Sequence, residues 1–186
     1  MEVIVYIFGL KVGTLYERDG IISFEYEQSF IDSGLNLSPI KLPFTTQTYI
    51  NQDDKYFQTL AGLFFDSLPD KFGTKVIERY YETKGIALRD LSVLQKLMFI
   101  GKRGMGALEY EPSESVISRD DTIELLDIRS MYESSKKIIK GEPTDALQEM
   151  LLFMDSGASA GGARAKAVVA WDKKANKMIS GVNELY

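Results

Sequence analysis

Three short stretches near the N-terminus constrain the fold most. Residues 3–8 (Val-Ile-Val-Tyr-Ile-Phe) are almost wholly apolar, residues 11–16 follow at once, and residues 21–26 alternate in the strand sense, with Ile22, Phe24 and Tyr26 on one face. Gly9-Leu10 and Asp19-Gly20 lie between them, and each pair is short enough for a hairpin turn. Tight turns join antiparallel neighbours, so the simplest arrangement is a three-stranded meander. Residues 38–43, Ser-Pro-Ile-Lys-Leu-Pro, are bracketed by prolines and suit a sheet edge or an extended crossing.

The middle of the chain changes period. Tyr56, Leu60, Leu63 and Phe64 recur at helical spacing until Leu68-Pro69-Asp70 ends the run. Thr74 is expected to cap a second helix that stops at Gly85. Ser92 and Gln95 form a capping box ahead of Leu94, Leu97 and Met98, with Gly101 as the stop. Residues 104–110 predict a glycine-led strand that rejoins the first sheet. Asp70 is expected to cap rather than catalyse, and the glycines at 104 and 106 to mark a strand entry rather than a phosphate loop.

Residues 111–115, Glu-Pro-Ser-Glu-Ser, are the best boundary, dividing a domain over 1–112 from a second region over 113–186. In the second region Asp127 is expected to cap a helix through Ile128, Met131, Ser135 and Ile138 that ends at Gly141. Thr144 is expected to cap another through Leu147, Leu151 and Met154. Residues 167–171 then predict a strand, and Asp172 sits in a hairpin turn, where aspartate is favoured for backbone reasons. The class is α+β: a small antiparallel β-sheet or barrel flanked by helices, then helices and a β-hairpin.

Between the last helix and that strand runs Ser156-Gly157-Ala158-Ser159-Ala160-Gly161-Gly162-Ala163-Arg164-Ala165-Lys166, small residues apart from Arg164 and Lys166. Small residues let backbone N–H groups approach an anion closely. A Walker loop is excluded, because Ala163-Arg164 stand where Lys-Ser/Thr is required and the sequel is strand-like. The dinucleotide fingerprint is excluded too, since no Gly-x-Gly-x-x-Gly is present. Two readings stay open on composition: a kinase-type loop over ATP phosphates, with Arg164 and Lys166 close to them, and a plain connector between helix and hairpin.

Composition narrows the rest. The 186 residues contain neither His nor Cys, which argues against zinc or transition-metal catalysis and against a disulfide framework. A reducing cytoplasm is the expected setting, and no apolar run reaches the roughly 20 residues of a membrane span. A net charge of −5 argues against broad binding to nucleic acid, and Lys102-Arg103 and Lys136-Lys137-Lys140 suit solvated surfaces.

Several separated segments together resemble the HipA family, the bacterial serine/threonine kinase toxins of toxin–antitoxin pairs. They are Val12-Gly13-Thr14-Leu15, Ile22-Ser23-Phe24-Glu25-Tyr26, Ser38-Pro39-Ile40-Lys41-Leu42-Pro43, Phe64-Phe65-Asp66-Ser67-Leu68-Pro69-Asp70 with Gly73, Leu94 through Gly101, Gly104-Met105-Gly106-Ala107-Leu108, and Ser159 through Lys166. The resemblance implies that Ser159, Ala160, Gly161, Gly162, Ala163, Arg164 and Lys166 lie over the phosphates of ATP, with Ser159 as an autophosphorylation site. It implies ATP and Mg2+ as cofactors of the intact kinase and a helix-turn-helix antitoxin as partner. DNA is then met only through that antitoxin, and the implied protein substrate is a translation enzyme such as an aminoacyl-tRNA synthetase.

The family's strand lysine, catalytic aspartate and metal-binding aspartate have no counterpart at the matched positions, and Lys166 is not that strand lysine. The chain is therefore expected to be the front portion of a longer or split kinase, with no catalytic residue or metal ligand of its own. The competing expectation is a free-standing interaction module.

Overall fold

A computed structural model describes residues 1–51, 56–104, 106–113, 128–142 and 169–180. The described residues form an α+β protein built around a five-stranded antiparallel sheet. In chain order the strands are β1 (Glu2–Ile7), β2 (Leu10–Arg18), β3 (Ile21–Tyr26), β4 (Tyr49–Ile50) and β5 (Leu108–Glu111), and their spatial order is β4-β3-β2-β1-β5. The expected meander is the centre of this sheet, and the glycine-led segment does return to it, as a partner of β1.

Both hairpins turn on left-handed residue pairs. Asp19 and Gly20 have φ of 53° and 76°, which gives the turn whose twist matches the flanking strands. The first turn falls one residue earlier than expected, on Phe8 and Gly9 with φ of 50° and 77°, so Leu10 already belongs to β2. A shift in register between Val5 and Tyr6 leaves Val12 as the extra residue of a bulge. Because side chains alternate, this register sends Val3, Val5, Leu15, Ile22, Phe24, Leu108 and Tyr110 to one face.

That face is buried. It packs against Phe30 of α1 (Gln28–Asp32), Leu60 and Ala61, Phe64 of α2 (Gly62–Phe65), and Leu94, Leu97 and Ile100 of α4 (Val93–Ile100). Leu42, in the proline-bracketed segment, is fully buried too, and its carbonyl accepts a 2.7 Å hydrogen bond from the Tyr26 hydroxyl. The segment makes no strand; its turn closes through Leu42 N–H to the Ser38 carbonyl. Each such large side chain contributes about 1.5–3 kcal/mol by leaving water.

The expected helix through Tyr56 and Leu60 shrinks to the single turn of α2. Gln58 and Thr59 have φ of 52° and 63°, and a left-handed residue cannot continue a right-handed helix. The apolar spacing survives because Leu60 and Phe64 still face the core.

The chain divides into two compact units. The sheet, α1, α2 and α4 belong to the first, which comprises residues 1–68, 92–102 and 106–114. The second, residues 69–91, 103–105 and 115–186, holds α3 (Lys71–Thr83), α5 (Ile128–Lys140) and the hairpin of β6 (Val169–Asp172) and β7 (Lys177–Ser180). A single 3-10 turn, Leu88–Asp90, follows α3. The cap of α3 is Asp70, whose Oδ1 accepts from Gly73 N–H at 2.9 Å. Thr74, expected at that cap, lies one turn inside, and its hydroxyl donates to the Pro69 carbonyl. No helix of the described residues is long and apolar enough to cross a membrane.

Candidate functional site

The residues singled out for the phosphate loop, Ser159, Ala160, Gly161, Gly162, Ala163, Arg164 and Lys166, lie outside the described residues. So do Asp127, Thr144 and the helix expected after Thr144. The strand that follows the loop is described: β6 pairs with β7 antiparallel, with Asp172 opposite Lys177 at the turn. Asn176 is left-handed at φ 51°, and its side-chain oxygen accepts from Trp171 Nε1–H at 3.3 Å. Lys173 reaches over the exposed indole, 5.9 Å from its centroid. Asp172, expected in the turn, is instead the last residue of β6, and the turn itself runs over residues 173–176.

The remaining acidic and glycine candidates also resolve into structure. Asp70 serves the helix N-terminus, with its Oδ2 buried and unpartnered. Gly104 and Gly106 lead into β5, and Gly106 lacks the positive φ of a phosphate-cradling nest. The register of β5 is fixed from two sides. Gly101 ends α4 with φ 53° and ψ −117°, and its carbonyl accepts from Tyr110 N–H at 3.2 Å. The Tyr110 hydroxyl donates to Ser67 Oγ at 2.6 Å, and burial holds its ionisation far above the ordinary tyrosine range.

In the second unit a groove of about 240 Å³ runs between α3 and the end of α5. Lys75 Nζ donates to the Ile139 carbonyl at 2.9 Å, satisfying the C-terminal turn of α5, and Arg79 pairs with Glu82 at 2.7 Å. Gly141 closes the helix at φ 73°, as expected from the sequence. These groups cap and brace; no nucleophile stands beside a base in the groove. Among the described residues no three acidic side chains converge on a metal site.

What remains is a surface. The face of the sheet opposite the core carries Ile4, Tyr6, Thr14 and Tyr16 in its middle, with Glu25 on β3 and Glu109 and Glu111 on the edge strand β5. Lys11 pairs with Glu27 at 2.6 Å, and the hydrogen bond to that carboxylate raises its pKa. Lys102 lies 3.3 Å from Glu111 and 3.9 Å from Glu109. The sequence placed Ile22, Phe24 and Tyr26 together on the core face and a glycine-led strand back in the sheet, but not the pairing of β5 with β1 that extends this opposite face.

The family model of the HipA N-terminal domain matches residues 3–111. The match begins in β1 and ends in β5, so it takes in every strand of the sheet and the helices that cover it. The chain belongs to the HipA N-terminal domain family. No curated protein matches the chain. Within the HipA frame, the sheet with α1, α2, α3 and α4 falls inside the matched residues, and α5 and the β6–β7 hairpin fall after them. The return of β5 to β1 gives the "glycine-alanine-leucine" segment at 106–108 its purpose, which is to start the strand that closes the family domain.

Proposed function

We propose that this chain is the amino-terminal part of a HipA-like serine/threonine kinase toxin from a toxin–antitoxin system. On this reading the sheet unit offers the surface for a helix-turn-helix antitoxin, and the complex meets operator DNA only through that protein. Ser159, Ala160, Gly161, Gly162, Ala163, Arg164 and Lys166 would lie over the phosphates of ATP, which with Mg2+ supplies the phosphoryl group in the intact kinase. The protein target would be a translation enzyme such as an aminoacyl-tRNA synthetase, modified on serine or threonine.

The observation that carries this reading is the family match over residues 3–111, together with the order of the motifs that follow. The chemistry agrees with it. Backbone amides freed by Gly161 and Gly162 suit phosphate oxygens, and Arg164 and Lys166 suit their charge. Phosphorylation of Ser159 would add about −1.5 to −2 charges beside the phosphate site and oppose nucleotide binding.

The test is complex formation between residues 1–186 and the helix-turn-helix protein encoded in the neighbouring reading frame. Titration calorimetry is expected to give one saturable heat of binding at micromolar or tighter affinity. The absence of binding would remove the antitoxin-docking role and leave a free-standing module for other partners.

A further inference from the structure

The face of the five-stranded sheet turned away from its core has a definite shape and charge. Cross-strand neighbours form rows: Glu25, Thr14, Ile4 and Glu111 in one, and Lys11, Tyr6 and Glu109 in the next. From β3 across β2 and β1 to β5 there are three inter-strand gaps, or about 14 Å at ~4.8 Å each. An α-helix with its side chains is about 10–12 Å across. One helix laid along β1 and β2 would therefore fill the space between the carboxylates on β3 and those on β5.

The middle of this channel is apolar to aromatic. Ile4, Tyr6 and Tyr16 are half-buried in it, and their rings and methyl groups give a helix an apolar seat. The helices of the sheet unit pack on the opposite face, through the core. Its charge is uneven. Lys11 is matched by Glu27, and Lys102 is shared between two carboxylates, so the β5 rim keeps a net negative charge. On β3, Glu25 accepts a hydrogen bond from the neutral Thr48 hydroxyl.

We infer that this face is a docking channel for a single amphipathic helix, aliphatic along its buried stripe and carrying lysine or arginine on both flanks. The inference deepens the partner-binding role proposed above by naming where and what the sheet unit binds. Cations on both flanks would meet Glu25 on one side and Glu109 and Glu111 on the other, fixing the helix direction and steering its approach. A helix with acidic flanks would face like charges on both rims and be rejected.

The probe is a synthetic 18-residue helix with a leucine stripe and lysine flanks, titrated into isotope-labelled residues 1–186 and followed by NMR. Shift changes are expected at the amides of β1 and β2, and the same helix with glutamate flanks should bind at least tenfold more weakly. The double variant Glu25→Gln/Glu109→Gln should weaken the lysine-flanked helix at least tenfold. The control Glu78→Gln/Glu82→Gln, in the second unit, should leave it unchanged. Equal binding of both helices, or shift changes confined to residues away from β1 and β2, would overturn the channel.

Two further results separate this inference from the reading it rests on. If the helix-turn-helix protein binds wild type and the double variant alike, the channel is wrong and the antitoxin role stands. If that protein fails to bind while the lysine-flanked helix docks on β1 and β2, the channel stands and the antitoxin role falls.

Discussion

Gly13 is the residue with least freedom in the sheet. A Cβ built there would stand 2.6 Å from Phe24 Cζ and collide with the Glu25 carbonyl, which is backbone held in the β2–β3 ladder. Neither neighbour can retreat cheaply, since Phe24 is buried against Phe64 and Tyr26. Gly13→Ala is expected to cost about 1–3 kcal/mol, the range for overpacking a filled core, read as a lower urea midpoint at unchanged slope. Tyr26 gives a pH signature at the same scale. Burial pushes its hydroxyl up to about 12 from the ordinary 10. A raised pKa means the neutral form is favoured in the fold, so this contribution is complete below pH 10 and drains away as pH rises towards 12. Tyr26→Phe should flatten the fall in stability between pH 10 and 12, at the expense of the hydrogen bond to Leu42. An equally steep fall in the variant would exclude Tyr26 as its source.

Among the elements, α4 is the most fully specified. Ser92 Oγ accepts from Gln95 N–H at 3.2 Å, and Gln95 Oε1 accepts from Ser92 N–H at 2.7 Å. Ser92→Ala is expected to lower thermal stability by about 1 kcal/mol, seen in a calorimetric scan as a drop of several degrees. This box, the Asp19-Gly20 turn and the alternation of β1 to β3 were legible in the sequence because each is decided within a few residues. The run from Tyr56 to Phe64 was not. Its spacing is helical, yet Gln58 and Thr59 turn left-handed, and neither residue type announces that conformation. Capping in this stretch was expected of both Asp70 and Thr74, and the structure assigns the cap of α3 to Asp70. Asp70 and Thr74 are both good capping residues, and only the start of the helix at Lys71 decides between them. The short α1 carries no side-chain cap and is held by the burial of Phe30, so no local signal pointed to it.

At the level of the whole molecule, the family match over residues 3–111 takes in the sheet unit and α3, while α5 and the β6–β7 hairpin lie beyond it. The family was legible because its motifs fall in order along strands and turns that the structure bears out, from Gly13 in β2 to Leu108 in β5. The chemistry proposed for residues 159–166 rests on sequence alone: glycines for phosphate oxygens, Arg164 and Lys166 for their charge. On the proposed reading residues 1–186 would contribute to holding a nucleotide and a partner, while the base and metal ligands of phosphoryl transfer would be supplied by the rest of the intact kinase. The most direct measurement is phosphate transfer from radiolabelled ATP, with Mg2+, to protein serine or threonine by residues 1–186 alone. The account predicts no transfer above the uncatalysed background; sustained turnover that survives repurification of the chain would contradict it.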